Sequence, residues 1–317
     1  MRQQRNLLLC FDAFGTLFKP TRPIPEQYMT VARQYGLEGF GLDQLEASFK
    51  SAFKGELLAH PNYGKASGMG AEKWWTNVIH KTFQSLLAPG REVPKELAPG
   101  LLHRFSSNEA YTTSSDILSL LRLLKHHQSS HTRSSLRGIV VGVVTNSDDR
   151  VPGILSSLGF YVSPLRFGHN IDTAVLAREQ YDIDLHCMSY DVGFAKPDRR
   201  IFDAAEAMAN TVIATQNGAG PARDGGRAEG DVPWLKLYVG DEFQVDVVGA
   251  RGAGWNSILV GPETDSQEQL IDIGQTGHIP LDDVFPLRSG STVPVALRAG
   301  SARMVLEWLI TQRLEND

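Results

Sequence analysis

The chain has 317 residues, of which 42 % are hydrophobic, so it can build one large domain or two ordinary ones, and wholesale disorder is excluded. Its 31 basic and 36 acidic side chains leave a net charge of −5, which argues against nucleic acid or an anionic membrane as the main partner. No apolar run approaches the ~18 residues that span a bilayer, and Cys10 and Cys187, both in apolar surroundings, read as reduced core cysteines rather than a disulfide.

The first element is the continuous apolar run NLLLCF (6–11), read as a buried strand. It begins so early that no room is left for a targeting peptide, and a soluble protein of the cytoplasm or nucleus is expected. The strand ends on Asp12 in FDAFGTL (11–17), where Gly15 permits a sharp turn beneath the carboxylate. A carboxylate so presented can be a nucleophile, as in aspartyl-phosphate chemistry. It can equally cap a turn, and the heptapeptide alone does not decide between the two.

About 120 residues of mostly helical pattern follow, with helices predicted over 24–35, 42–58, 71–87 and 115–126. This is too much helix for one crossover, so residues 19–114 are expected to form a separate helical domain inserted into a core of 1–18 and 115–317. Trp74 and Trp75 are adjacent and face directions about 100° apart on a helix. One is expected in the core of the insert and the other beside a ligand. Asn62, Tyr63 and Trp74 are taken as candidate substrate contacts, although with Gly64 next to them an ordinary turn explains Asn62 and Tyr63 as well. The segments 126–135, which holds His126, His127 and His131, and 216–230 are polar or Gly-rich without an apolar face, and are expected as flexible loops.

The apolar pattern then resumes in GIVVGVVTN (138–146), LKLYVGD (235–241) and NSILVG (256–261). Short apolar runs separated by helical segments indicate a parallel sheet covered on both faces. The first three runs end on Asp12, on Thr145 with Asn146, and on Asp241. Ligands bind at the carboxyl ends of the strands in such sheets, so these residues should converge. Thr145 and Asn146 stand where a helix begins and suit an anion, though both are ordinary helix caps as well. In GFAKPD (193–198), Lys196 precedes a proline that restrains it. Asp246 follows Asp241 by five residues, and with Asp12 the pair makes an oxygen-rich site suited to Mg²⁺. Residues 295–314 carry a helical apolar pattern.

The order Asp12, Thr145 with Asn146, Lys196, then Asp241 with Asp246, with a helical insertion after the first, resembles the haloacid dehalogenase (HAD) superfamily. Residues 60–83, 189–202 and 238–255 look like the eukaryotic haloacid dehalogenase-like hydrolase domain-containing protein 3 group. The resemblance covers most of the chain but not 126–135 or 216–230. It implies an α/β fold, a Rossmann-like parallel sheet core with an inserted helical cap of the first type. It further implies Asp12 as nucleophile and metal ligand, Thr145 as hydrogen-bond donor to the transferring group and Lys196 as the neutralising cation. Asp241 and Asp246 would hold Mg²⁺ together with the backbone carbonyl of Phe14.

Phe14 departs from the phosphatases of that superfamily, which carry an acid two residues after the nucleophile. The expected function is therefore a Mg²⁺-dependent hydrolase of a small phosphorylated metabolite, lacking that second acid. A metal-independent 2-haloacid dehalogenase is the first alternative, because halide leaves without a proton. A catalytically silent fold that binds a ligand or partner is the second.

Overall fold

The computed structural model describes residues 4–126, 136–217, 232–261, 270–274, 280–285 and 294–314. Among the described residues there are nine strands: β1 (Arg5–Phe11), β2 (Lys19–Pro20), β3 (Tyr111–Thr112), β4 (Leu136–Thr145), β5 (Leu185–Met188), β6 (Trp234–Gly240), β7 (Asn256–Val260), β8 (Ile271–Asp272) and β9 (Ala296–Ala299). Seven of them form one sheet in the order β5-β4-β1-β6-β7-β9-β8, every pair parallel. The α/β class read from the sequence is the observed one. β1 is buried along its whole length, as a central parallel strand with both faces covered must be. Chain direction across the sheet reverses at β1, with β4 and β5 to one side and β6 onward to the other. The crevice of a doubly wound sheet opens at such a point.

The chain folds into two compact units. One holds residues 1–18, 113–146 and 159–317, and the other 19–112 with 147–158. The sequence pattern places 147–158 in the core and draws the insert at 19–114, so the helical unit takes in a segment that the pattern does not assign to it. In the sheet unit the long helix Arg199–Gln216 packs on β4 and β5, and the helices Ile117–His126 and Ala302–Leu314 pack on each other. Phe202, Tyr238 and Trp255 are fully buried, with Phe202 edge-on to both of the other rings. In the helical unit, β2 and β3 pair as an antiparallel ribbon that brings the two ends of residues 19–112 together. The helices Ile24–Gln34, Leu42–Ala59, Ala71–Gln84 and Leu97–Arg104 bury Tyr28, Leu45, Trp74, Phe83 and Leu101.

Several elements differ from expectation. Residues 295–314 are not one helix: Ala296–Ala299 is a strand parallel to β7, and the helix starts only at Ala302, beyond Gly300. β5 is not anticipated by the pattern, because four residues, LHCM, are too short to show a period. The expected loops lie outside the described residues apart from their first positions, where His126 and Gln216 end helices. His127 and His131 fall outside as well. Among the described residues no helix is long and apolar enough to cross a membrane.

Candidate active site

The site is assembled at the carboxyl edge of the sheet. The Asp12 N–H donates to the Val239 carbonyl at 2.8 Å, carrying the β1–β6 pairing one residue past the strand. The chain then turns through Gly15, whose φ of +78° suits glycine. Close approach adds a second constraint there, since a Cβ on Gly15 would fall 2.0 Å from Asp241 Oδ2. Gly240 is constrained likewise, its absent Cβ leaving room for the Asp246 carboxylate 2.2 Å from where that atom would lie. Asp246 sits in a π-helical turn, Phe243–Val247, and its Oδ2 accepts from the Glu242 N–H at 2.9 Å.

Lys196 ties these groups together. Its buried ammonium lies 3.0 Å from Asp12 Oδ1 and 2.7 Å from Asp246 Oδ1. Asp12 Oδ1 also accepts from the Ala13 N–H at 2.8 Å, and the Thr145 hydroxyl hydrogen-bonds the same carboxylate. Asn146 is committed to the backbone of Lys196, with Oδ1 accepting from its N–H at 2.6 Å and Nδ2 donating to its carbonyl at 2.9 Å. Each end of the Asn146 amide thus has a partner in the lysine loop, so the side chain braces that loop. Asp198, two residues on, caps the helix Arg199–Gln216 by accepting from the Arg200 N–H.

Lys196 pairs with two of the three carboxylates, Asp12 and Asp246. Burial pushes the Asp12 carboxyl up, Lys196 pulls it down and Asp246 pushes it up again. Asp241 is raised to about 6, first by partial burial and then by Asp12 and Asp246. Oxygens of Asp12, Asp241 and Asp246 all lie within 4.8 Å of one another. A hard oxygen donor set, short of positive charge and lined by two glycine gaps, fits a divalent cation such as Mg²⁺. Thr16 Oγ1 supports Asp241 Oδ1 at 3.3 Å. The Phe14 ring stands edge-on to Phe18 at 4.8 Å, so the position two residues after Asp12 holds no titratable group.

No family model matches the chain. It is 29 % identical to an uncharacterized hydrolase of Schizosaccharomyces pombe, over 80 % of this chain and 90 % of that one. It is 27 % identical to human haloacid dehalogenase-like hydrolase domain-containing protein 3, over 88 % of this chain and 89 % of the other. By these relatives the chain is similar to hydrolases of the haloacid dehalogenase superfamily. A solved HAD structure, that of a defluorinating L-2-haloacid dehalogenase, shares the fold with a TM-score of 0.51 and 12 % identity, covering 98 % of this chain and 99 % of that one.

The remaining candidates lie in the helical unit. Trp74 is fully buried, stands edge-on to Tyr63 and donates from Nε1 to the His60 carbonyl at 3.0 Å. It is a core residue, which corrects its expected contact with substrate. Asn62 and Tyr63 are both half-buried, and both have positive φ, 49° and 56°, in the turn Asn62–Ser67. Trp75 makes its own polar contact: its Nε1 donates to Asp148 Oδ2 at 2.7 Å. Asp148 is also clamped in a two-point pair by Arg150, whose guanidinium lies 4.6 Å from the centroid of the Trp75 ring. Asp148 and Arg150 do not stand out in the sequence. In VVTNSDDR they pass for the polar start of a helix, and their partner Trp75 is 73 residues away from Asp148.

Proposed function

We propose that this HAD-family hydrolase is Mg²⁺-dependent and cleaves a small phosphorylated metabolite through an aspartyl-phosphate on Asp12. The observation that carries the reading is the trio Asp12, Asp241 and Asp246, with Lys196 paired to Asp12 and Asp246. Asp12, Asp241 and Asp246, with the Phe14 carbonyl, would hold Mg²⁺, which when bound offsets negative charge at the phosphoryl oxygens. An Asp12 oxygen attacks phosphorus, forming the O–P bond as the ester P–O bond breaks. Lys196 and Thr145 keep the carboxylate ionised and oriented. Water then hydrolyses the aspartyl-phosphate, regenerating Asp12 and releasing phosphate.

The departing alkoxide must take its proton from water, because Phe14 has none to give. General acid–base assistance contributes roughly 10²–10⁴ in rate, so turnover is slow. The reading places the protein in the cytoplasm or nucleus, with a small molecule as substrate and neither nucleic acid nor membrane as partner.

A second reading, a metal-independent 2-haloacid dehalogenase, is favoured by Phe14 alone, since halide needs no proton to leave. A phosphoester panel run on wild type and Phe14→Asp separates them. The phosphatase reading predicts slow, chelator-sensitive phosphate release in wild type and a gain of about 10²-fold or more in the variant. Chelator-insensitive halide release from 2-halo acids, with no phosphate release by either protein, would replace it.

A further inference from the structure

We propose that Tyr238 is the positioning residue for Lys196, a role that rests on the phosphoryl-transfer reading for its kinetic consequence but not for its geometry. Tyr238 lies on β6, is fully buried, and its ring stacks edge-on against Phe202. Its Oη lies 2.6 Å from Lys196 Nζ and 2.7 Å from the Val144 carbonyl. An ammonium only donates, so the phenol oxygen accepts from Lys196 and its own hydrogen goes to Val144.

The three N–H bonds of the ammonium are all assigned: Tyr238 Oη, Asp12 Oδ1 and Asp246 Oδ1. A tetrahedral group with three fixed acceptors cannot rotate, and its position relative to Asp12 is set. Val144 immediately precedes Thr145, the other side chain that bonds Asp12. β4 and β6 are not neighbours, since β1 runs between them. Strands in a sheet are about 4.8 Å apart, so the phenol ties two strands about 10 Å apart, across the strand that ends in the nucleophile. One hydroxyl thus joins the strand end bearing Thr145, the lysine loop and β6, while Asn146 holds the same lysine by its backbone. Phenylalanine at 238 would keep the packing and leave one buried ammonium N–H without an acceptor.

The test is Tyr238→Phe, with folding verified by circular dichroism and by the wild-type Mg²⁺ thermal shift, which depends on carboxylates the substitution leaves in place. In ¹⁵N-lysine-labelled protein, the wild-type Lys196 ammonium, held by three acceptors, gives a slowly exchanging NMR signal that disappears in the variant. Turnover falls at least tenfold with KM within twofold of wild type. Persistence of the ammonium signal, or an unchanged kcat, overturns the proposal. A wild type that neither responds to Mg²⁺ nor releases phosphate overturns the phosphoryl-transfer reading instead, and the ammonium signal then still decides whether Tyr238 holds Lys196.

Discussion

At the scale of single residues, the electrostatics of the carboxylate trio have a measurable consequence. The Asp241 carboxyl, raised to about 6 in the fold, binds its proton more tightly there than in the unfolded chain. Between the ordinary carboxylate range and pH 6 the folded state holds more protons, so stability falls as pH rises through that window. The slope vanishes about one pH unit above that value, where the folded carboxyl is ionised too. In metal-free protein, thermal unfolding across pH 4–7 should show this decline in wild type, and Asp241→Asn should flatten it. Saturating Mg²⁺ should flatten it too, because a bound cation removes the cause of the raised value. Equal slopes in wild type and Asp241→Asn would show that Asp241 is not strained by its neighbours.

At this scale the sequence is also most informative. Asp12, Thr145, Lys196, Asp241 and Asp246 are legible because each stands at or just beyond an apolar run or a helix-opening proline, and they converge in the structure. Tyr238 is not legible: inside LKLYVGD it looks like any strand aromatic, and only the fold places its hydroxyl against Lys196. Asn146 is legible as a residue but not in its role, since its partner is the backbone of a loop 50 residues away.

Among elements, the segment after β4 shows what a local pattern conceals. Asp148 and Arg150 begin a polar stretch before the short helix Val151–Ser157, yet they are clamped to each other and to Trp75 of the helix Ala71–Gln84. Burial raises the Asp148 carboxyl, but the Arg150 charge and the bonds from Arg150 and Trp75 outweigh it and hold the group below its ordinary range. Removing one partner of such a pair leaves an uncompensated charge and costs about 3–5 kcal/mol. Asp148→Ala should therefore destabilise by about 3 kcal/mol in denaturant unfolding, whereas exposed Asp43→Ala should change stability by less than about 0.5 kcal/mol. A loss below about 1 kcal/mol in Asp148→Ala would mean that the pair lies on the surface in solution. The strands that the sequence does not reveal, β2, β3, β5, β8 and β9, have two to four residues each, too few for either period to register.

For the whole molecule, the class of fold is readable because buried parallel strands leave continuous apolar runs and helical crossovers leave the 3.6-residue period. The extent of the helical unit is less so, since residues 147–158 join 19–112 through packing between residues far apart in the chain. What unites sheet, turn and motif is a carboxylate cluster that one lysine cannot neutralise. Thermal unfolding of the wild type, alone, with saturating Mg²⁺, and with Mg²⁺ plus beryllofluoride as a phosphoaspartate mimic, tests that directly. Magnesium at about 100 times its Kd should stabilise by about 2.7 kcal/mol, a Tm rise of roughly 4 °C at this size. Beryllofluoride should add a further rise that Asp12→Asn abolishes. A Tm indifferent to Mg²⁺ would contradict a metal-dependent site at Asp12, Asp241 and Asp246.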